Sequence, residues 1–249
     1  MNLHNSTIVY ELCAVTMPIL SGYFAENQLN IYQALSERGA IAKGGDFSHY
    51  SINDFREKIT QIIKEPNHSN YIREQQKLFD GNSDYRFIKL LNDAYTSFRK
   101  AKKEDMKRVF DWSNDELVRQ NSYNSEPIKL EEHEKWFYSK IKIKNNLFLI
   151  ALYDGIEAGI VRYEIKEGFT VVGISILKDF REKKLAASFL EMSAKEYFKI
   201  HEFPVLAYIK EENIASVKSF ENAGYVFHEK KIIDGVSSFV YKLEKNDVI

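Results

Sequence analysis

The stretch Gly173-Ile-Ser-Ile-Leu-Lys-Asp-Phe-Arg-Glu-Lys-Lys-Leu-Ala186 reads as a strand that runs into a charged turn and then into a helix. Backbone amides at the start of such a helix, the helix macrodipole and the side chains of Arg181, Lys183 and Lys184 together suit an anion such as a pyrophosphate. About thirty residues further on comes Asn213-Ile-Ala-Ser216-Val-Lys-Ser-Phe220-Glu-Asn-Ala-Gly224-Tyr225, a helix closed by glycine that leads into a strand. Taken singly, the first stretch is an ordinary solvated basic turn and the second an ordinary helix end. Their order, spacing and strand-helix context decide the fold.

Outward from this junction the elements follow. Upstream, 147–153, 158–166 and 169–177 read as strands joined by Asp154-Gly155 and Glu167-Gly168, turns short enough to force antiparallel pairing. Helices are expected at 103–112, 115–120 and 130–141, with the loop Asn121-Ser-Tyr-Asn-Ser-Glu-Pro-Ile128 before the last of them. The helix at 185–200 carries the stripe Ala186, Phe189, Leu190, Ala194 and Tyr197, and after Pro204 come a strand at 205–209, a helix at 214–223 and strands at 225–232 and 237–243. This order describes a mixed α/β domain of about 145 residues. The leader alternates differently: helix 6–16, strand 19–24, helix 27–38, strand 40–43 and helix 52–64, the last with Ser51 as N-cap and the stripe Ile52, Phe55, Ile59, Ile62, Ile63. Such alternation predicts a parallel sheet, yet two strands make only part of one. Residues 66–95, broken at Pro66-Asn67-His68-Ser69 and Asp80-Gly81-Asn82-Ser83, read as one or two bridging helices.

Composition narrows the function classes. Lys and Arg number 35 against 36 Asp and Glu in 249 residues, so the chain lacks the basic excess that draws a protein to nucleic acid or an anionic membrane, and a small-molecule partner is expected. Cys13 has no intramolecular partner, and the six histidines show no metal-ligand spacing, so no metal is expected. Without a basic, apolar leader or an apolar run of about eighteen residues, the cytoplasm is the expected compartment. The oligomeric state is left open, with a homodimer as one assembly to test.

The two motifs together resemble the acyl-CoA motifs of the GCN5-related N-acetyltransferase (GNAT) superfamily, over roughly residues 96 to 243. The division expected is a partial Rossmann-like segment at 1–95 and a GNAT domain at 96–249. The family pattern of Arg or Gln, two residues, Gly, one residue, Gly or Ala falls on Arg181, Lys184 and Ala186, with Lys184 where the family usually has glycine. A Cβ there restricts φ and crowds the backbone. The resemblance implies acetyl-CoA as cosubstrate, held by Ser175, Ile176 and Leu177 on the strand, Arg181, Glu182, Lys183, Lys184, Leu185 and Ala186 at the turn, and Asn213, Ser216 and Phe220 in the second motif.

Residues 120–137, with Asn124-Ser-Glu-Pro-Ile128, Leu130-Glu-Glu-His133 and Trp136-Phe137, resemble acetyltransferases that modify UDP-linked 4-amino-4,6-dideoxy sugars in pseudaminic acid biosynthesis. That likeness implies a nucleotide amino sugar as substrate, with Asn124, Glu126 and His133 facing it. His133 also shares a helix face with Leu130, Phe137 and Ile141, where a hydrogen-bonded core role is the more common one. The first 95 residues resemble the second half of the C-terminal domain of the UDP-sugar hydrolase of the same pathway, a two-Rossmann protein. There the likeness places Ser6 and Thr7 on a diphosphate, Glu11 on a ribose, and Asn27 and Gln28 near the sugar. Leu3-His4-Asn5 replaces that family's glycine-rich turn, so a binding or packing remnant is expected rather than a hydrolase.

Acetyl transfer from a thioester needs a neutral amine, a donor for the developing oxyanion and a proton for the leaving thiolate. The resemblance runs the pantetheine arm along residues 175–177 and gives the oxyanion to the Leu177 amide. Phe220 occupies the position of the tyrosine acid found in many relatives and has no proton to give, which leaves Tyr208, Tyr163 or water. The base is Glu126 or His133 through water, unless an already neutral amine attacks directly. A protein α-amine, a polyamine, or mere binding of CoA or a nucleotide sugar are the rival functions; Arg or Lys beside the thioester would favour the sugar, and an acidic groove the polyamine.

Overall fold

The computed structural model describes residues 5–64, 68–143 and 145–248, residues 5–7 by backbone only, and divides into two units, Met1–Arg86 and Phe87–Ile249. In the first unit, α1 (Asn5–Ala14), β1 (Leu20–Tyr23), α2 (Glu26–Glu37), β2 (Ala42–Asp46), α3 (Ile52–Lys64) and α4 (His68–Leu78) follow in order. β1 and β2 pair in parallel, as the alternation predicts, and make a two-stranded sheet. Their core is Val9, Cys13, Ile19, Leu35, Ala40 and Ile41. Buried Gln75 on α4 ties it together, its Nε2 donating to the carbonyls of Met17 and Ala40 at 2.8 Å each. Ser51 caps α3 in a reciprocal box: its N–H donates to Asp54 Oδ2 at 2.7 Å, and the Asp54 N–H returns to Ser51 Oγ at 3.3 Å. The stripe on α3 does not become core. Ile52, Ile59 and Ile63 stay exposed while Phe55 packs on Phe47 and Tyr50, because two strands are too narrow to cover the whole face.

The second unit begins within α5 (Ser83–Tyr95) and contains a seven-stranded sheet of order β3-β4-β5-β6-β7-β9-β8. Its strands are β3 (Thr96–Lys100), β4 (Leu147–Tyr153), β5 (Ile156–Ile165), β6 (Thr170–Ile176), β7 (Val205–Lys210), β8 (Val226–Ile233) and β9 (Val236–Leu243). The meander β4-β5-β6 is antiparallel as its turns require, and at Asp154-Gly155 both residues take positive φ, 52° and 75°. β3 is a strand that the sequence reading missed; Thr-Ser-Phe-Arg-Lys lacks an apolar alternation, and pairing with β4 makes it a strand. Helices α6 (Met106–Ser113), α7 (Glu116–Asn121), α8 (Leu130–Lys142), α9 (Leu185–Phe198) and α10 (Ile214–Asn222) complete the unit.

Strand alternation sends side chains to two cores. Leu149, Val161, Tyr163, Val172, Val205 and Ala207 pack with Phe189, Leu190, Ala194 and Tyr197 of α9. On the other face, Phe148, Ile150 and Ile160 meet Val109 of α6 and Phe137 of α8. An ion network ties β3 to the start of α6: Arg99 reaches Asp105 at 2.7 Å and Glu157 at 2.6 Å, and Arg108 reaches Asp105 at 2.9 Å. β6 and β7 run parallel and touch only at Thr170–Val205 and Val171–Leu206; beyond that they part. No helix among the described residues is long and apolar enough to cross a membrane.

Candidate active site

The parting of β6 and β7 opens a gap beside the turn that enters α9. Lys184, the residue before α9, has φ 58° and ψ 26°, and Glu182 has φ 65°. The left-handed backbone for which glycine is suited is thus kept despite the lysine, at a cost of about 1 kcal/mol. No side chain caps α9 and no acidic residue stands in its first turn, so the opening amides of the helix have no side-chain acceptor, an arrangement that suits an anion. Buried Asn92 on α5 holds the turn from behind: its Nδ2 donates to the Lys183 carbonyl at 3.0 Å, while its own carbonyl accepts from Thr96 Oγ1 at 2.7 Å. Nothing in the sequence pattern singles out Asn92. Lys183 lies over the Phe180 ring, 4.6 Å from its centre.

Arg181 does not stand free as a cation for phosphate. Its Nη2 donates to Asp115 Oδ1 at 2.5 Å and its Nε to the Ile176 carbonyl at 3.2 Å. Asp115 in turn caps α7 through the amides of Leu117 and Val118. The motif arginine therefore braces the end of β6 against α7. The Leu177 amide is also committed, donating to the Ala158 carbonyl at 2.8 Å, and so cannot be the oxyanion donor expected of it. Amides alternate between the two edges of a strand, so Leu177 and Ser175 face β5 and the Ile176 amide faces the gap. In the second motif, Asn213 caps α10 by accepting from the Ser216 amide at 3.1 Å, and Phe220 is buried edge-on against Tyr225, 4.9 Å between ring centres.

On the sheet face opposite α9, a cavity of about 360 Å³ lies between α7, α8 and strands β5 and β6, with Ser175 at its floor. Arg119, Glu132, His133, Trp136, Arg162 and Glu164 line it. Arg162 pairs in register with Gly173, and its guanidinium lies where that residue has no side chain: a Cβ at 173 would come within 3.1 Å of Nη2. The same guanidinium sits 5.3 Å from the Trp136 ring centre. Glu164, two residues on, is taken by Lys140 at 2.5 Å. The loop at 121–128 is pinned at its base by Asn114, which donates to the Ile128 carbonyl at 3.0 Å and accepts from the Ile128 amide at 2.8 Å. The sequence reading overlooked Arg119, Arg162, Glu132 and Glu164; Arg162 carries a signal, a cation set between Val161 and Tyr163 inside a strand.

The expected acid, base and substrate residues separate in space. Tyr163 is fully buried in the α9 core with its hydroxyl on Ser193 Oγ at 2.8 Å, and burial pushes it well up, so it is no proton donor to the cavity on the other face. Tyr208 alternates to the cavity side of β7, where burial and Glu229 raise its hydroxyl. Tyr123 from the loop stands near enough to sense it and donates to Ser238 Oγ at 2.9 Å. His133 lines the cavity and is buried among Phe110, Trp136 and Phe137, with Nε2 unpartnered. Burial, and secondarily Arg162, lower its pKa to about 4, so the ring is neutral at pH 7. Glu126 and Asn124 are exposed outside the cavity lining, joined by a bond from the Glu126 amide to Asn124 Oδ1 at 2.9 Å, so neither reaches the cavity here. In the first unit, the side chains of Ser6 and Thr7 lie outside the described residues. Glu11 and Asn27 are exposed, and Gln28 accepts from the Phe24 amide at 2.9 Å.

A sheet split between parallel strands, an uncapped helix start beside the split and a cavity across the sheet make up the site, and a family match gives it its class. The acetyltransferase (GNAT) domain model matches residues 96–226, more than half of the chain. The protein therefore belongs to the GNAT acetyltransferases and is an acetyl-CoA-dependent N-acetyltransferase. Among solved structures, aminoglycoside acetyltransferase AAC(6')-Ib in complex with coenzyme A and kanamycin is 12% identical with a TM-score of 0.54, over 61% of this chain and 96% of that one. Spermidine N-acetyltransferase from Vibrio cholerae, with CoA and spermine, is 16% identical with a TM-score of 0.55, over 62% and 98%. An N-acetyltransferase from Staphylococcus aureus Mu50 is 19% identical with a TM-score of 0.52, over 60% and 98%. These likenesses speak for the fold. A comparison with curated proteins gave no match.

Proposed function

We propose that the enzyme acetylates the amino group of a nucleotide-linked amino sugar of the UDP-4-amino-4,6-dideoxy type. The observation that carries this reading is the cavity itself, which reaches Ser175 on β6 and is lined by the guanidinium groups of Arg119 and Arg162. Of the charges that line it, Glu164 is paired with Lys140 whereas Arg119 and Arg162 form no ion pair with a described residue, a balance that favours a sugar bearing a diphosphate over a polycationic acceptor such as a polyamine. The resemblance of residues 120–137 to sugar-nucleotide acetyltransferases supports the same reading.

Acetyl-CoA supplies an activated acetyl group. The chain's part is to hold the phosphates at the α9 start, through the amides near Leu185 and Ala186, and to lead the thioester into the gap. The Ile176 amide, turned toward that gap, stabilises charge on the thioester oxygen. Tyr208, on the cavity side of β7, gives its proton to the departing thiolate; its raised pKa keeps it protonated until that charge forms. The amine attacks in its neutral form and its proton passes to water, which the neutral His133 Nε2 can hold in the cavity. The test is thiol release from acetyl-CoA with a UDP-4-amino-4,6-dideoxy sugar, beside spermidine and a peptide α-amine. Turnover confined to the nucleotide sugar is expected; a robust rate with the peptide or spermidine and none with the sugar would overturn the assignment.

A further inference from the structure

Arginines in this unit are otherwise paired with acids: Arg99 with Asp105 and Glu157, Arg108 with Asp105, and Arg181 with Asp115. Arg119 and Arg162 differ. Each has a buried Nε without a hydrogen-bond partner, and neither forms an ion pair with a described residue. Arg119 spends one weak bond on a backbone carbonyl, from Nη1 to Glu126 O at 3.4 Å. The nearby carboxylates do not make up the deficit. Glu164 is held by Lys140 at 2.5 Å, and Glu132 stands with a largely exposed side chain 4.0 Å from Lys129. Glu164 favours the charge on Arg162 without forming an ion pair with it, and Arg119 stands close enough to oppose that charge. Two partly buried like charges with no ion pair of their own are costly, and such an arrangement is stable where a ligand completes it.

The surroundings say what shape the ligand has. Gly173 leaves the face of β6 bare so that the Arg162 fork lies flat, and Trp136 backs it from the other side. A planar fork held by an aromatic ring and a strand presents parallel N–H donors, which match the oxygens of a phosphoryl group. The unpartnered His133 Nε2 adds a third polar group to the same cavity.

We propose that Arg162 and Arg119 form an anion subsite in the acceptor cavity that grips a phosphoryl group of the acceptor, separate from the α9 start that serves acetyl-CoA. The subsite rests on the acceptor cavity assigned above and goes further, making the phosphoryl group itself the specificity determinant. It is tested by calorimetry on the full chain saturated with coenzyme A, so that the α9 site is filled, using UDP, uridine and inorganic pyrophosphate as probes. UDP and pyrophosphate are expected to bind, more weakly as salt rises, and uridine to bind at least tenfold more weakly than UDP. Arg162→Met, which keeps the stem against Trp136, and Arg119→Met should each weaken UDP and pyrophosphate tenfold or more. Gly173→Ala, which crowds the fork without touching its charge, should weaken them several-fold. Circular dichroism and melting identify any variant that has lost its fold, and the decision is then taken on the others.

Unchanged UDP and pyrophosphate affinity in folded Arg162→Met and Arg119→Met would overturn the subsite, whatever the enzyme acetylates. Loss of that affinity in the variants, with no thiol release from any nucleotide amino sugar, would sustain the subsite and overturn the sugar assignment. Where the sugar is turned over, the variants should raise its KM tenfold or more, and an unchanged KM would again overturn the subsite.

Discussion

His133 ties the stability of the fold to pH. Its ring is 2% exposed, wedged among Phe110, Trp136 and Phe137, and Arg162 faces it from β5. Burial first, and Arg162 second, move its pKa from 6.5 to about 4 in the folded protein. Above pH 6.5 the imidazole is neutral in both folded and unfolded chains and adds no pH dependence. As pH falls from 6.5 towards 4, the unfolded chain takes up a proton that the folded one refuses, and the folded state loses about 1.4 kcal/mol per pH unit. Across the window the loss comes to about 3 kcal/mol, a large part of an ordinary domain's stability. Urea unfolding between pH 7.5 and 4, followed by tryptophan fluorescence, measures it, with His133→Phe as the variant that cannot take the proton. The stability of the wild type should fall about 3 kcal/mol further than that of the variant over this range. Parallel curves, or an imidazole that titrates near 6.5 by NMR in the folded protein, would refute both the burial argument and the neutral state used for catalysis.

Three further outcomes follow from single contacts. Asn92→Ala removes the bond that holds the Lys183 carbonyl, and should raise the KM for acetyl-CoA several-fold with little change in kcat; a fall in kcat alone in steady-state assays would contradict a role in seating the phosphates. Tyr208→Phe should lower kcat about 100-fold with KM for both substrates nearly unchanged, the range for loss of a positioned acid. Asp105→Ala removes one of the two carboxylates that Arg99 and Arg108 share, Glu157 being the other, and should cost about 2 kcal/mol in denaturant unfolding, whereas a change below about 0.5 kcal/mol would place that network with ordinary surface pairs.

How far the sequence discloses the molecule depends on how local the cause is. The meander was legible because Asp154-Gly155 and Glu167-Gly168 leave few geometries, and α9 because its stripe repeats at helical spacing. β3 was not, since a five-residue polar segment becomes a strand only when β4 lies beside it. The stripe on α3 misled in the opposite sense: it is a sound amphipathic helix whose apolar side lacks enough sheet to cover it. Local patterns report what an element could bury, while topology decides what it does bury.

The site repeats this lesson in its chemistry. The motif falls on the turn into α9, whose start has no side-chain cap, yet the arginine that defines the motif is spent on Asp115 and the Ile176 carbonyl. A basic residue in a phosphate motif can thus act by fixing the end of the strand beside the turn. The arginines poised for an anion are instead Arg119 on α7 and Arg162 on β5, 43 positions apart in the chain and brought together by the packing of α7 and α8 over the sheet. With acidic and basic residues nearly balanced overall, the chain has almost no net charge with which to gather an anionic acceptor. Attraction has to come from a few charges withheld from their neighbours, and that withholding is visible only where the unpaired groups can be told from the paired ones.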